Sequence, residues 1–208
     1  MSSTTESGGM TIYRSPYPDV YIPTDVSYSQ FLTRHNPDDV RGDKVIMEDL
    51  EEPHDSATYA GFRDGVAKHA SWLQSIGLKP GDTVVMYATN SVAWMKAAHA
   101  VLWTGGVVAG VNAIVSEFEL PHYFSIAKPK FVFTDPDLRP RVEAVLKQQS
   151  SQVAVLELAS KRGTGFPYNV PDRQPVPSFQ LSGDNRKVPG VLLFSSGRQC
   201  GMNSSALR

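Results

Sequence analysis

The chain is short of cysteine, of clustered histidine and of net charge, and each shortage removes a class of protein. Its single cysteine, Cys200, forbids an intrachain disulfide and fits a reducing compartment. His35, His54, His69, His99 and His122 share no metal-ligand spacing, so no zinc site is expected. A formal net charge of −1 over 208 residues gives no pull toward nucleic acid or an anionic membrane. Residues Met1 to Met10 lack the basic start and apolar stretch of a signal peptide and the arginine of a mitochondrial presequence. They read as a disordered tail, and the chain as cytoplasmic. One uncharged run, Ala97 to Val115, is long enough to suggest a membrane span. The Gly105-Gly106 step inside it reads instead as the turn between a helix and a buried strand. No membrane span is expected.

What is present is the composition of a soluble globular domain, 41% hydrophobic and 20% charged. Tyr13 to Pro37 is an irregular proline-rich arm, with a short helix from Ser29 to Arg34 that Pro37 would stop. Lys44–Glu48 and Ala57–Tyr59 read as a hairpin. From Tyr59 to Ile76, Phe62, Val66, Ala70, Leu73 and Ile76 recur every three or four residues, which predicts an amphipathic helix closed by Gly77. Strands then alternate with helices. Thr83–Tyr87, Val107–Val111, Lys130–Thr134 and Val153–Leu156 are the strands. One helix is capped at Asn90 or Ser91, a second runs from Ser116 with Glu119 completing a capping box, and a third ends at Gln148. This alternation predicts an α/β fold with a parallel sheet. Ser160 to Lys187, rich in glycine and proline, reads as a long surface connection. The predicted core comprises Phe62, Val66, Leu73, Val84, Val85, Leu102, Val108, Val132, Phe133, Val145, Val155, Leu192 and Leu193.

The most informative stretch is Gly190-Val191-Leu192-Leu193-Phe194-Ser195-Ser196-Gly197. A buried strand runs into small hydroxylic residues and a glycine, a turn that can offer N–H and O–H donors to phosphate. This closely resembles the opening of the phosphate loop of the adenylate-forming acyl-CoA synthetase and 4-coumarate–CoA ligase-like family. Tyr21-Ile22-Pro23, Gly77-Leu78-Lys79-Pro80-Gly81-Asp82, Gly105-Gly106-Val107-Val108-Ala109-Gly110 and Ala127-Lys128-Pro129-Lys130 extend the resemblance, in order, over residues 17 to 197.

The resemblance implies a partial N-terminal subdomain of the adenylate-forming fold over residues 11–197. It implies descent from an AMP-dependent acid–thiol ligase, with ATP, Mg2+ and coenzyme A as the family's cofactors and a small-molecule carboxylic acid as substrate. The acid stays open among aryl, medium-chain fatty and polyketide-type acids. Ser195, Ser196 and Gly197 are the cofactor-binding positions it assigns; it assigns no catalytic residue and no metal ligand. The family continues with Thr-Thr-Gly and Pro-Lys-Gly, whereas here Arg198-Gln199-Cys200-Gly201-Met202-Asn203 follows. The loop lysine is therefore missing, and residues 198–208 read as an aberrant, unstructured end. The chain is expected to be inactive alone, with no cofactor assigned to it securely. The alternative is a non-catalytic truncated or mis-spliced product that acts, if at all, as an interaction module. Because the family sheet continues further, an exposed apolar sheet face and poor solubility are expected.

Other reactive-looking residues have structural readings. Cys200 has no organised histidine partner and reads as a passive thiol. Trp72, Trp94 and Trp103 fall on predicted helices and read as packing residues. His122 has no acid or nucleophile beside it and reads as a surface histidine. Gly163-Thr164-Gly165 enters no helix, so it makes no dinucleotide fingerprint.

Overall fold

The computed structural model describes residues 4–7, 10–13, 17–18, 21–34, 39–50, 55–159, 164–195 and 203–207. In chain order these hold a hairpin of β1 (Thr4–Ser7) and β2 (Met10–Tyr13), then α1 (Tyr28–Arg34) and a second hairpin of β3 (Val45–Glu48) and β4 (Ser56–Thr58). The alternating part follows: α2 (Tyr59–Ser75), β5 (Thr83–Ala88), α3 (Val92–Trp103), β6 (Val107–Asn112), α4 (Leu120–Ala127), β7 (Phe131–Thr134), α5 (Arg139–Gln148) and β8 (Ala154–Glu157). After a long connection come β9 (Val191–Ser195) and β10 (Asn203–Leu207).

The main sheet has the order β10-β9-β6-β5-β7-β8. Strands β5 to β9 run parallel to their neighbours, and β10 lies antiparallel on β9. This is the α/β architecture that the alternation predicts. The central strand β5 is buried from Val84 to Ala88, as a strand covered on both faces must be.

The helix signals work as local chemistry requires. Thr58 caps α2 by accepting the Gly61 N–H at 3.1 Å, and Ser91 caps α3 by accepting the Trp94 N–H at 3.0 Å. Gly77, with φ +104°, leaves α2 through the left-handed region. The predicted start at Ser116 is displaced: α4 begins at Leu120. The Ser116 N–H and hydroxyl both donate to the Glu119 carboxylate, at 3.1 and 2.7 Å. Only one arm of a capping box forms, and residues 117–119 make a turn instead.

Two hydrophobic cores lie on opposite faces of the sheet. On one face α2 and α3 pack Leu73, Ala93, Ala97 and Val101 against Val84, Met86, Val108, Phe131 and Phe133. On the other, α4 and α5 pack Leu120, Phe124, Val142 and Val145 against Val85, Tyr87, Ala109, Val111 and Val132, with Leu192 and Phe194 joining from β9. Phe62, Val66, Leu73, Val84, Val85, Val108, Val132, Phe133 and Val145 are buried as predicted. Leu102, Val155 and Leu192 are half-buried. Leu193 is 43% exposed, because alternation along β9 turns it away from Leu192 and Phe194 and no helix lies over it.

The proline-rich arm is held by the long connection. Asn185 donates to the Pro23 and Val26 carbonyls, the Ser27 hydroxyl donates to the Phe179 carbonyl, and Gln30 bonds Gln180. Phe179 lies on Gly105, where a Cβ would stand 2.6 Å from its ring. That connection holds one short turn of 3-10 helix, Asn185–Lys187. Both ends expected to lack structure contain paired strands. Within residues 1–10, β1 pairs with β2, and within 198–208, β10 satisfies the outer backbone groups of β9.

Candidate functional site

In an open parallel sheet, ligands sit outside the carboxyl ends of the strands. Here that edge is formed by residues 88–91 after β5, 112–119 after β6, 134–138 after β7, 158–159 after β8, and Ser195 at the end of β9. Val108 pairs with Val191 and Ala109 with Leu192, so continuing the register brings Ser195 level with Asn112. The strand thus carries Ser195 to the carboxyl edge of the sheet. Ser196, Gly197 and Cys200 lie outside the described residues.

The edge is rigidly built. Asp135 accepts both the N–H and the hydroxyl of Thr89 at 2.8 Å, which ties the β5 and β7 ends together. The buried Tyr87 hydroxyl donates to the Val115 carbonyl at 2.6 Å and fixes the loop after β6. The two Ser116 donors hold the Glu119 carboxyl below the usual carboxylate range.

Among the described residues of that edge the charge is of one sign; Lys161, Arg162 and Arg198 lie outside the described residues. The segments 88–91, 112–119 and 134–138 carry Glu117, Glu119, Asp135 and Asp137 and no lysine or arginine. The next cation along the chain, Arg139, is engaged by Glu143 at 2.6 Å and Glu157 at 3.1 Å. Among the described residues no group of three His, Cys, Asp or Glu side chains could hold a metal ion. A triphosphate needs cationic partners or a bound metal at the developing charge. The described residues of this edge do not fit one by themselves.

A second feature is a groove of about 950 Å³ on the α2–α3 face. Its lining includes Tyr28, Phe31, Trp94, Leu102, Phe179 and Val191. His99, between Tyr28 and Phe62, lies in its wall, and burial pushes its pKa down. The walls of the groove are segments far apart in sequence. Trp94 therefore faces a groove, whereas Trp72 packs on Phe166 and the Trp103 indole N–H donates to the Val176 carbonyl. His122 is exposed, as its sequence context suggests. No helix among the described residues is long and apolar enough to cross a membrane.

Helices on both faces of a mostly parallel sheet define a doubly wound α/β domain. The family model described as AMP-binding enzyme matches residues 34–197, and the chain belongs to that family. An acyl-CoA ligase of Aspergillus niger, azaF, is 27% identical over 100 residues, 48% of this chain and 19% of the relative. The nicotinic acid-CoA ligase pyr1 of Aspergillus fumigatus is 29% identical over 108 residues, 52% of this chain and 19% of its own. The chain thus spans about a fifth of the length of these relatives. Among solved structures, a long-chain-fatty-acid-CoA ligase of Archaeoglobus fulgidus superposes with a TM-score of 0.77 at 15% identity, covering 93% of this chain and 39% of that one. ATP-bound MatB of Rhodopseudomonas palustris gives 0.71 at 22% identity, covering 86% and 34%. At such identities these likenesses establish the fold.

Proposed function

We propose that this chain derives from an AMP-forming acid–thiol ligase, which activates a carboxylate with ATP and passes the acyl group to coenzyme A, and that the 208 residues alone form no acyl-adenylate. The family match over residues 34–197 carries the first half of this reading. The acidic charge of the described residues 117, 119, 135 and 137 at the edge supports the second. Arg198-Gln199-Cys200 stands where the family has Thr-Thr-Gly, so the family's Thr-Thr-Gly and Pro-Lys-Gly steps are not matched in these residues. Losing one preorganised electrostatic group costs about 10²–10³ in rate. Ser195, Ser196 and Gly197 are the positions proposed to face phosphate, where backbone N–H groups would donate to its oxygens. Mg2+ belongs to the family reaction; the described residues supply no ligand set for it.

The test is ATP–pyrophosphate exchange with aryl, heteroaryl and aliphatic acids, the first two chosen because relatives are named for phenylacetyl and nicotinic acid substrates. The expected result is background exchange with every acid. Exchange that Ser196→Ala abolishes would overturn the reading. A second reading, a non-catalytic interaction module, draws support from the groove of about 950 Å³, which leaves apolar surface of α3 and β9 available to a partner. Concentration-dependent association weakened by Val191→Asn would favour it.

A further inference from the structure

The groove on the α2–α3 face lies by the amino ends of β6 and β9, where Gly106 and Gly190 lead into the strands, at the opposite end from Ser195. Three segments enclose it: α1, α3 and residues 179–191 of the long connection. Four exposed large apolar side chains, Tyr21, Ile22, Tyr28 and Val188, gather on this one concavity. Among the described residues that line it, Arg186 is the one charged side chain. Its Nε and Nη2 donate to the Asp184 carboxylate at 3.0 and 2.9 Å. The Ser27 hydroxyl and the Asn185 amide are engaged by the Phe179, Pro23 and Val26 carbonyls of the wall. The His99 imidazole and the Trp94 indole N–H, by contrast, line the groove and have no hydrogen-bond partner among the described residues.

We propose that this groove is a binding site for an uncharged aromatic small molecule that carries a hydroxyl, amine or amide group, with its rings against Tyr28 and Trp94 and its polar group bonded to His99. Burial holds the His99 ring neutral, so it offers one N–H donor and one lone pair. The paired guanidinium of Arg186 leaves no free cation for a carboxylate, sulfonate or phosphate, and burying such a charge unpaired is unfavourable. Aromatic rings suit the walls: Tyr28 and Phe62 already flank His99, with ring centroids 5.7 and 5.0 Å away. The volume of about 950 Å³ falls within the range of sites that enclose a compact ligand, about 300–1,000 Å³. A protein partner would need about 800 Å² of this surface, which a cleft between three segments suits less well. The site goes beyond the ligase reading, since it lies away from the carboxyl edge and does not depend on adenylate chemistry.

The experiment is a fluorescence titration of the 208-residue chain with two dyes that share one skeleton, phenylnaphthylamine and anilinonaphthalene sulfonate. The first is uncharged and carries one N–H; the second adds an anionic group. The proposal predicts saturable one-to-one binding of the uncharged dye with a micromolar Kd, and binding of the sulfonate at least about tenfold weaker. In NMR spectra the uncharged dye should move the Trp94 indole signal and the Val191 amide. It should leave the Trp72 indole signal and the Val142 and Val145 amides in place, since these lie outside the groove. His99→Leu keeps apolar volume and removes the bonding nitrogens, and should weaken the uncharged dye about fivefold. Uptake without saturation, equal or tighter binding of the sulfonate, or shifts that spread to Val142 and Val145 would overturn the proposal. So would an unchanged affinity in folded His99→Leu. A chain that sediments as a dimer and takes up the dye only on dissociation would also overturn it, because a second copy would then fill the groove. All but one of these outcomes are read in the unsubstituted chain, so they decide the matter even if His99→Leu does not fold.

Discussion

The two faces of the sheet are finished to different degrees. The α4–α5 face is closed from β8 to β9, and Leu192 and Phe194 of β9 pack into the same core as Val132 and Phe124. The α2–α3 face is closed over β7, β5 and β6, then opens beside β9 into the groove that Val191 lines. One strand therefore carries a packed side and an open side. The lesson is that a strand's apolar run specifies its place in a sheet, whereas its burial depends on what the rest of the chain lays over each face.

The largest expected effect tests the closed face. Phe124, 3% exposed, should cost about 3–5 kcal/mol as Phe124→Ala, read by denaturant unfolding. Gly105→Ala tests the wall of the groove. Gly105 has φ +81°, and a Cβ there would meet the Phe179 ring at 2.6 Å. Left-handed strain and overpacking together predict a loss of about 2–4 kcal/mol, with release of the 179–185 segment from the arm.

Acid should weaken the α2–α3 side first, since His69 and His99 are the histidines held neutral there by burial. Their folded pKa values lie below 6.5, so an unfolded chain binds protons more readily. Their stabilisation is complete above pH 6.5 and is lost as pH falls toward 4, about 2–3 kcal/mol of it from His69. Thermal melts across this range should show the loss, and a His69→Gln, His99→Gln double variant should flatten it. The smallest effect is predicted at Leu193, 43% exposed: Leu193→Asn should change stability by less than about 1 kcal/mol while raising soluble yield.

The alternating elements were legible because each had a local signal: Thr58 and Ser91 as caps, Gly77 as a stop, and unbroken apolar runs at β5 and β7. The start of α4 was misread because Ser116 and Glu119 have capping-box spacing, yet their side chains bond each other and the Ser116 N–H. Leu193 was misread because a four-residue apolar run does not show which face lacks a helix. The β10 pairing was illegible because it depends on a partner edge and not on the polarity of Asn203–Leu207. That β9 ends at Ser195 was legible from the apolar run before it. The tie between Asp135 and Thr89 was not, since it joins residues 46 apart.

The central proposal is that this AMP-binding fold does not by itself hold a nucleotide. Titration calorimetry of the 208-residue chain with Mg-ATP tests it most directly. The account predicts no saturable binding tighter than about 1 mM. A micromolar Kd that Ser196→Ala removes would contradict it.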